Sequence, residues 1–423
     1  MYVLSINVSF KINLTTCIYL LSTVSFLLSG CVHTPLPDTW PPTVPGKNEW
    51  VDRGTGHKVI RLSRREGNNE VFYFHQNPFT AEGDKMIFMG STDQGRNAFS
   101  IDLKTLDIQQ ITTIGCGFEV VAPKSRTLYY MSGDKVYATH IDTRETREIA
   151  EVPHHYTYGR GLTVNSDETL LAGCFCQGEE KYYASGLPRK EWIRAIWKDK
   201  LPNVLYTVNI QDGVVKEIYH ENEWLGHVQF SPTDPNLIEF CHEGPSRAVE
   251  RMWMIRADGS RLTKLHQKRY SNEVQTHEFW APDGSKIWSD FQLPHLLARI
   301  APFMEIFTYP RFYLASVDVR TLELKKYPYK MRYASRHFNI STDQTMFCGD
   351  SEGGSFRLCP SGKWIFLYTF KNDELQIEKL CSMKGHSWSS YPEPNVHFTP
   401  DGKWVVFQSD VEGSIQVYAV SVS

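Results

Sequence analysis

Asn395-Val-His-Phe-Thr-Pro-Asp-Gly402, running on into Lys403-Trp-Val-Val-Phe-Gln408, reads as a turn that feeds a strand. Its pattern is an aromatic or branched apolar residue, then a small residue, often followed by Asp-Gly. That pattern returns along the chain at intervals of about 40 to 65 residues. The other copies are Gln76-Asn-Pro-Phe-Thr, Phe118-Glu-Val-Val-Ala-Pro, Gly161-Leu-Thr-Val-Asn-Ser-Asp, His227-Val-Gln-Phe-Ser-Pro, His277-Glu-Phe-Trp-Ala-Pro-Asp-Gly and His337-Phe-Asn-Ile-Ser-Thr-Asp. Repeats of this length, rich in strands and turns, are the mark of propeller blades, each unable to bury its faces alone. The expectation is an all-β, seven-bladed β-propeller.

Around this frame the composition is that of an ordinary β-protein. The 423 residues are 41% hydrophobic and 13% aromatic, with a formal net charge of -3. That balance leaves no basic footprint for nucleic acid. Beyond residue 31 no apolar run is long enough to span a bilayer. The N-terminus departs from this: Ile12 to Gly30 is largely apolar, follows Lys11, and ends Leu28-Ser29-Gly30-Cys31. A positive residue, an apolar stretch and small residues at the cut describe an export signal. The terminal tetrapeptide resembles a bacterial lipobox, and an uncleaved anchor helix is the alternative. The expected domains are a lipoprotein signal over 1–30, a tether over 31–50 containing the Pro- and Thr-rich stretch Thr34 to Lys47, and the propeller over 51–423. The expected location is periplasmic or outer-membrane anchored, touching the membrane only through a lipidated Cys31. Nine cysteines with no CxxC pair of metal-ligand spacing read as mostly buried small hydrophobes. The oligomeric state is left open.

Two strands stand outside complete blades: Val59-Ile-Arg-Leu near the start and Ile415-Gln-Val-Tyr-Ala-Val at the end. Sharing one blade would close the ring and remove its open edges. An Asp-x-x-Thr-type turn is expected in Val317-Asp-Val-Arg-Thr-Leu, Ile101-Asp-Leu-Lys-Thr-Leu and Ile141-Asp-Thr-Arg-Glu-Thr. Gln177 to Lys200, with a short helix near Lys190 to Lys198, and Gln292 to Arg311 read as insertions over a blade, where scaffolds build binding faces.

The copies also align side chains. The column reads Gln76, Phe118, Gly161, His227, His277, His337 and Asn395, placing three histidines and two amides at one mouth of the channel. His242, Glu243 and Arg251 follow the second strand of the fourth blade, and Asp350 stands at the matching place in the sixth. Glu393 lies just before the seventh copy, and Arg160 just before the third, as a carboxylate clamp. His, Glu, Asp and Asn around a concave mouth suit a divalent metal or acid–base chemistry. Loop capping and bonds to neighbouring backbone are the plainer readings of each residue.

Glu221-Asn-Glu-Trp-Leu-Gly-His227, Phe240-Cys-His-Glu-Gly-Pro245, Arg251-Met-Trp, Thr276-His-Glu-Phe-Trp280 and Phe398-Thr-Pro-Asp together resemble the oligogalacturonate lyases, polysaccharide lyase family 22. The resemblance implies a seven-bladed propeller, a manganese-like ion held by histidines and a glutamine, and β-elimination of a uronic-acid glycoside. It implies His277 as a metal ligand. The family's Gln-x-x-His-Pro-His stretch here reads Ser390-Tyr-Pro-Glu393-Pro-Asn395, so Glu393 and Asn395 take the places of two ligand histidines and Ser390 that of the glutamine. Oxygen donors there favour Mn²⁺, with Ca²⁺ as the alternative. The implied base is a histidine, His227 or His242, with Arg160 and Arg251 for the uronate. Gln76, His337, Asp350 and Glu243 are the expected substrate contacts. The expected partner is a uronic-acid oligosaccharide. A non-catalytic propeller similar to TolB, binding sugar or protein, is the reading from another class; a hydrolase finds no Gly-x-Ser-x-Gly elbow.

Overall fold

The computed structural model describes residues 48–153, 160–300, 310–351, 364–387 and 392–423. Seven antiparallel sheets follow one another in chain order, and their innermost strands neighbour each other around a common centre, as a seven-bladed β-propeller requires. Blade one begins with Asn69–Glu70, blade two with Gly117–Ala122, blade three with Arg160–Val164 and blade four with Leu225–Phe230. Blades five, six and seven begin with Val274–Trp280, Ser335–Ile340 and His397–Phe398.

Burial follows strand position. The second strand of blade one, Lys85–Thr92 (KMIFMGST), is buried over Met86 to Gly90, whereas the outer strand of blade two, Thr146–Glu151 (TREIAE), buries only Ala150. Inner strands are covered on both faces by the blades to either side, which is why they read as continuous apolar runs. The apolar clusters accordingly lie between blades. One joins Val120 and Tyr129 of blade two to Leu171 and Tyr206 of blade three, and another joins Cys348 and Ile365 of blade six to Val405 and Tyr418 of blade seven. Each large side chain so buried contributes about 1.5–3 kcal/mol.

Chain ends close the ring as expected. The last strand, Gln416–Ser421, pairs with Lys58–Arg61, with Val59 opposite Val420, and Glu49–Val51 forms the outer edge. The ring therefore starts at Glu49, slightly before the expected boundary at 51. Asp102 and Asp318 accept main-chain N–H bonds within the expected turns, followed by Leu106 and Leu322 with φ of 63° and 60°. In the third copy the turn is shifted. His140 Nδ1, not Asp142, accepts the N–H groups, and Arg144 takes the left-handed position. Asp142 is released to Arg126 and Lys85, tying blade two to blade one. Six cysteines are free and buried, and Cys359 lies outside the described residues.

The Gln177–Lys200 insertion connects the second and third strands of blade three. It forms helix α1 (Glu180–Tyr183) and helix α2 (Arg189–Asp199). The second insertion begins with helix α3 (Leu296–Ile300), and its residues 301–309 lie outside the described set. Second-to-third connections emerge on the face where inner strands begin, so both insertions stand on the mouth that carries the aligned column.

Candidate active site

The column has a backbone cause. In blades two to six the pairing of first and second strands slips by one residue, at Gly117/Val120, Arg160/Leu162, Gly226/Gln229, Thr276/Phe279 and Ser335/Phe338. Each slip is a β-bulge, which re-aims the extra side chain. Phe118, Gly161, His227, His277 and Asn395 have φ of 55°, 58°, 50°, 55° and 51°. A left-handed non-glycine residue costs about 1–3 kcal/mol and persists only where its surroundings impose it. His337 reaches the same place differently: its N–H donates to Asp350 Oδ1 at 2.8 Å.

The three histidines converge on Tyr73 and Phe74, which follow the short inner strand of blade one. Phe74 stacks on His337 at 4.8 Å and meets His277 edge-on at 6.1 Å. Tyr73 lies 5.4 Å from the His227 ring and 5.3 Å from that of His337, and His75 lies 5.6 Å from His227. Burial pushes the Tyr73 hydroxyl well up, helped by Glu393 and Glu243, so it stays protonated. Burial, and after it the neighbouring His227 and His397, hold His75 well below its ordinary value.

Two of the histidines share a second motif. His277 Nδ1 is 2.8 Å from Asp290 Oδ1, and His337 Nδ1 is 2.7 Å from Asp350 Oδ2; in both cases the aspartate lies thirteen residues on. An N–H bond from Nδ1 to a carboxylate fixes the tautomer with its lone pair on Nε2, as in metal-binding histidines. His337 Nε2 is buried without a hydrogen-bond partner among the described residues and stands 3.7 Å from Glu393 Oε2. The rings of His277 and His337 are 5.0 Å apart and nearly perpendicular. Burial keeps His277 neutral, with its pKa well below the ordinary value, and the positive groups around it act in the same direction. Burial raises Glu393, but His337 and Arg336 outweigh it and hold the carboxyl below its usual range. Two imidazoles with their Nδ1 atoms braced by carboxylates, beside a third carboxylate, make a donor set that a divalent ion takes. The nitrogen donors favour Mn²⁺ over the oxygen-seeking Ca²⁺.

A second group adjoins it on blades four and five. His227 Nε2 is 2.9 Å from Glu243 Oε1, and His227 Nδ1 lies 3.8 Å from Glu278. Arg251 donates to Glu278 at 2.8 and 3.2 Å and to Glu243 at 3.2 Å. Gly226 permits this closeness, since a Cβ there would meet Glu243 Cγ at 2.7 Å. Burial works against the Arg251 charge, but its anionic neighbours prevail and raise its pKa. Cys241 stands within 4.8 Å of the His227 and Glu243 ligand atoms, yet burial pushes its thiol up, so it offers little to a metal.

Other expected residues are placed elsewhere. His242 binds Glu221 at 2.7 Å and packs on Trp253 at 4.9 Å, with no described contact to the central rings. Asn395 turns toward an adjoining cavity with Gln76, while its Nδ2 donates to the Glu393 carbonyl at 3.2 Å. Arg160 opens the inner strand of blade three, and its side chain lies outside the described set, as does Ser390. Sequence reading missed Tyr73, His75, Glu278, Asp290 and Arg336. The repeated thirteen-residue interval from His277 to Asp290 and from His337 to Asp350 was the available signal for one of them. His397 donates Nε2–H to the Gln76 carbonyl at 3.0 Å, and burial lowers its pKa to about 4. The blade-three insertion also reaches the mouth: Trp197 packs on Gly244, and Arg189 lies 3.9 Å from Glu393.

Comparison with known proteins agrees with this geometry. The family model for oligogalacturonate lyase matches residues 47–423. An oligogalacturonide lyase of Pectobacterium atrosepticum is 29% identical over 396 residues, covering 88% of this chain and 95% of that protein. An oligogalacturonate lyase of Dickeya dadantii is 28% identical over the same shares. Among solved structures, an oligogalacturonate lyase in complex with manganese superposes with a TM-score of 0.75 at 27% identity, over 89% of this chain and 96% of its own. One from Vibrio parahaemolyticus gives 0.75 at 25% identity over the same shares. A seven-bladed ring, a carboxylate-braced histidine pair at its mouth and a family match along the whole described ring lead to one conclusion: this chain belongs to the oligogalacturonate lyase family.

Proposed function

We propose that this protein cleaves uronic-acid oligosaccharides of the oligogalacturonate type by β-elimination, with Mn²⁺ held by His277, His337 and Glu393. The observation that carries the reading is the pair of histidines whose Nδ1 atoms are braced by aspartates and whose rings meet beside Glu393. A bound divalent ion supplies positive charge against the uronate carboxylate, which makes the neighbouring C5 proton more acidic. His227 is the base. With Nε2–H given to Glu243, its lone pair stands on Nδ1, which has no hydrogen-bond partner among the described residues. Glu278 then stabilises the imidazolium once the proton has moved to Nδ1. His242 fits this role less well, because Glu221 and Trp253 hold it apart from the central rings. As the C4–O bond breaks and the C4–C5 double bond forms, the protonated Tyr73 hydroxyl donates to the departing oxygen. Arg251 holds Glu243 and Glu278 in place around the base.

The test is absorbance near 235 nm, the signature of a double bond conjugated to the carboxylate, on a panel of uronic-acid oligosaccharides with Mn²⁺ and after chelation. A metal-dependent rise supports the reading. A folded protein that produces none on any substrate sinks it and favours a sugar-binding propeller without catalysis.

For location, we propose export as a lipoprotein anchored through Cys31, supported by the Leu28-Ser29-Gly30-Cys31 lipobox. Cys31→Ser is expected to move the protein out of the membrane fraction and to abolish labelling by a fatty-acid probe.

A further inference from the structure

Helix α2 reaches across the mouth. It grows out of blade three, yet its first residue, Arg189, lies 3.9 Å from Oε1 of Glu393, just ahead of the inner strand of blade seven. Blades three and seven are not neighbours in the ring. The rest of the helix is fixed against blade four: Ile196 is buried, Trp197 packs on Gly244, and Trp192 meets Trp224 edge-on at 6.2 Å. Its 11 residues span about 16 Å, enough to carry Arg189 from that anchorage toward the far side.

A second guanidinium meets the same atom. Arg336, in the inner strand of blade six, donates Nη1–H to Glu393 Oε1 at 2.7 Å, while Oε2 of that carboxylate faces His337 Nε2 at 3.7 Å. A brace for Glu393 accounts for Arg336 but not for Arg189, which at 3.9 Å is beyond hydrogen-bond reach of Glu393 and has 57% of its side chain exposed. Two planar forks arriving from different blades make a place for a second carboxylate, because a guanidinium pairs with a carboxylate through two parallel N–H bonds. The reaction calls for such a group. The C5 proton lies next to the uronate carboxylate, and charge that develops there is stabilised by cations fixed in advance. Arg251 is not placed to supply one, since its side chain is only 6% exposed and is held by Glu278 and Glu243. The Arg336 side chain is 29% exposed and open to a ligand from the mouth.

We propose that Arg189 and Arg336 form the clamp for the carboxylate of the reacting uronate, with α2 as the strap that carries Arg189 over the mouth. The proposal rests on the lyase reading for the chemistry of the bound sugar. It makes the blade-three insertion part of the substrate site, and it gives acid recognition to side chains outside the aligned column.

Calorimetric titration of the full Mn²⁺-loaded chain tests it, with His227→Ala present to stop turnover. The probes are a digalacturonate and its counterpart methyl-esterified only on the reacting ring. The acid is expected to bind tighter than the ester by about ten-fold or more. Arg336→Gln is expected to weaken the acid by about ten- to hundred-fold, the worth of hydrogen bonds to a charged group. Arg189→Gln, at a more exposed position, is expected to weaken it by about two- to five-fold, as surface ion pairs do. Neither variant moves the ester, and both keep the Mn²⁺ affinity, read by paramagnetic resonance of the free ion. If Arg336→Gln loses Mn²⁺ along with the acid, Arg336 is a brace for Glu393 and the clamp is overturned. Equal loss of acid and ester, or an acid indifferent to both variants in folded protein, overturns it too. The 235 nm assay answers separately, with His227 intact. Selective binding of the acid without product from the wild type sinks the lyase and keeps the clamp, whereas product from both arginine variants at the wild-type kcat/KM does the reverse.

Discussion

At the scale of single residues, the mouth divides its work between two sets of histidines. His277 and His337 are braced to present lone pairs, and His227 lies between the carboxylates of Glu243 and Glu278. The two roles predict separable losses. His227→Ala is expected to lower kcat by about 10²–10⁴, the usual share of a general base, with Mn²⁺ affinity retained. Asp290→Asn and Asp350→Asn are expected to weaken Mn²⁺ by about 10–100-fold, read by paramagnetic resonance of the free ion. If Asp350→Asn binds Mn²⁺ as the wild type does, His337 is not a ligand. The histidines were legible in the sequence because a repeat aligns equivalent positions. Their direction was not, because a bulge leaves no letter of its own. Asp290 sits within an apolar strand, and its partner becomes plain only when the interval to His277 is compared with that from His337 to Asp350.

At the scale of elements, the segment Tyr73-Phe74-His75 plugs the mouth without being a strand. Phe74 is fully buried and touches His277, His337 and Phe279. Phe74→Ala is expected to cost about 3–5 kcal/mol, as for other buried aromatics, and to loosen Mn²⁺ as the stacked His337 ring gains freedom. Denaturant midpoints and metal titration read the two effects; an unchanged midpoint would contradict the packing described. Blade order, ring closure and the helical insertion were readable from period, turn residues and composition. The plug was not, since it belongs to no repeat and its contacts come from blades four, five and six, about 150–260 residues away in sequence. The shifted turn at His140 was hidden for a related reason. A histidine there can accept the same N–H bonds as an aspartate, and this freed Asp142 for Arg126.

At the scale of the whole molecule, blades hold to one another by apolar faces inside and by ion clusters outside. Arg126 joins Glu82 and Asp84 of blade one to Asp142 of its own blade, at 2.6–2.9 Å. Its hydrogen bonds, first among the causes, lower Asp84 from 3.8 to about 2 and hold Asp142 lower still. A carboxyl with a depressed folded pKa stabilises the fold above its unfolded value, and that stability is lost as pH falls through the folded one. Melting temperature is therefore expected to drop between pH 4 and pH 2, and to drop less steeply in Arg126→Met, which starts lower at neutral pH. Parallel curves would show that the cluster contributes nothing.

Closure of the ring carries a kinetic consequence. Lys58 meets Ser421 across 363 residues, so the last blade has no complete sheet until the chain's final strand is available. Contacts of such separation form late, after the entropy of a very long loop has been spent. A chain still emerging from the ribosome therefore has six blades it can assemble and one it cannot. It leaves two raw sheet edges apart until that strand arrives, each a template for pairing with another chain.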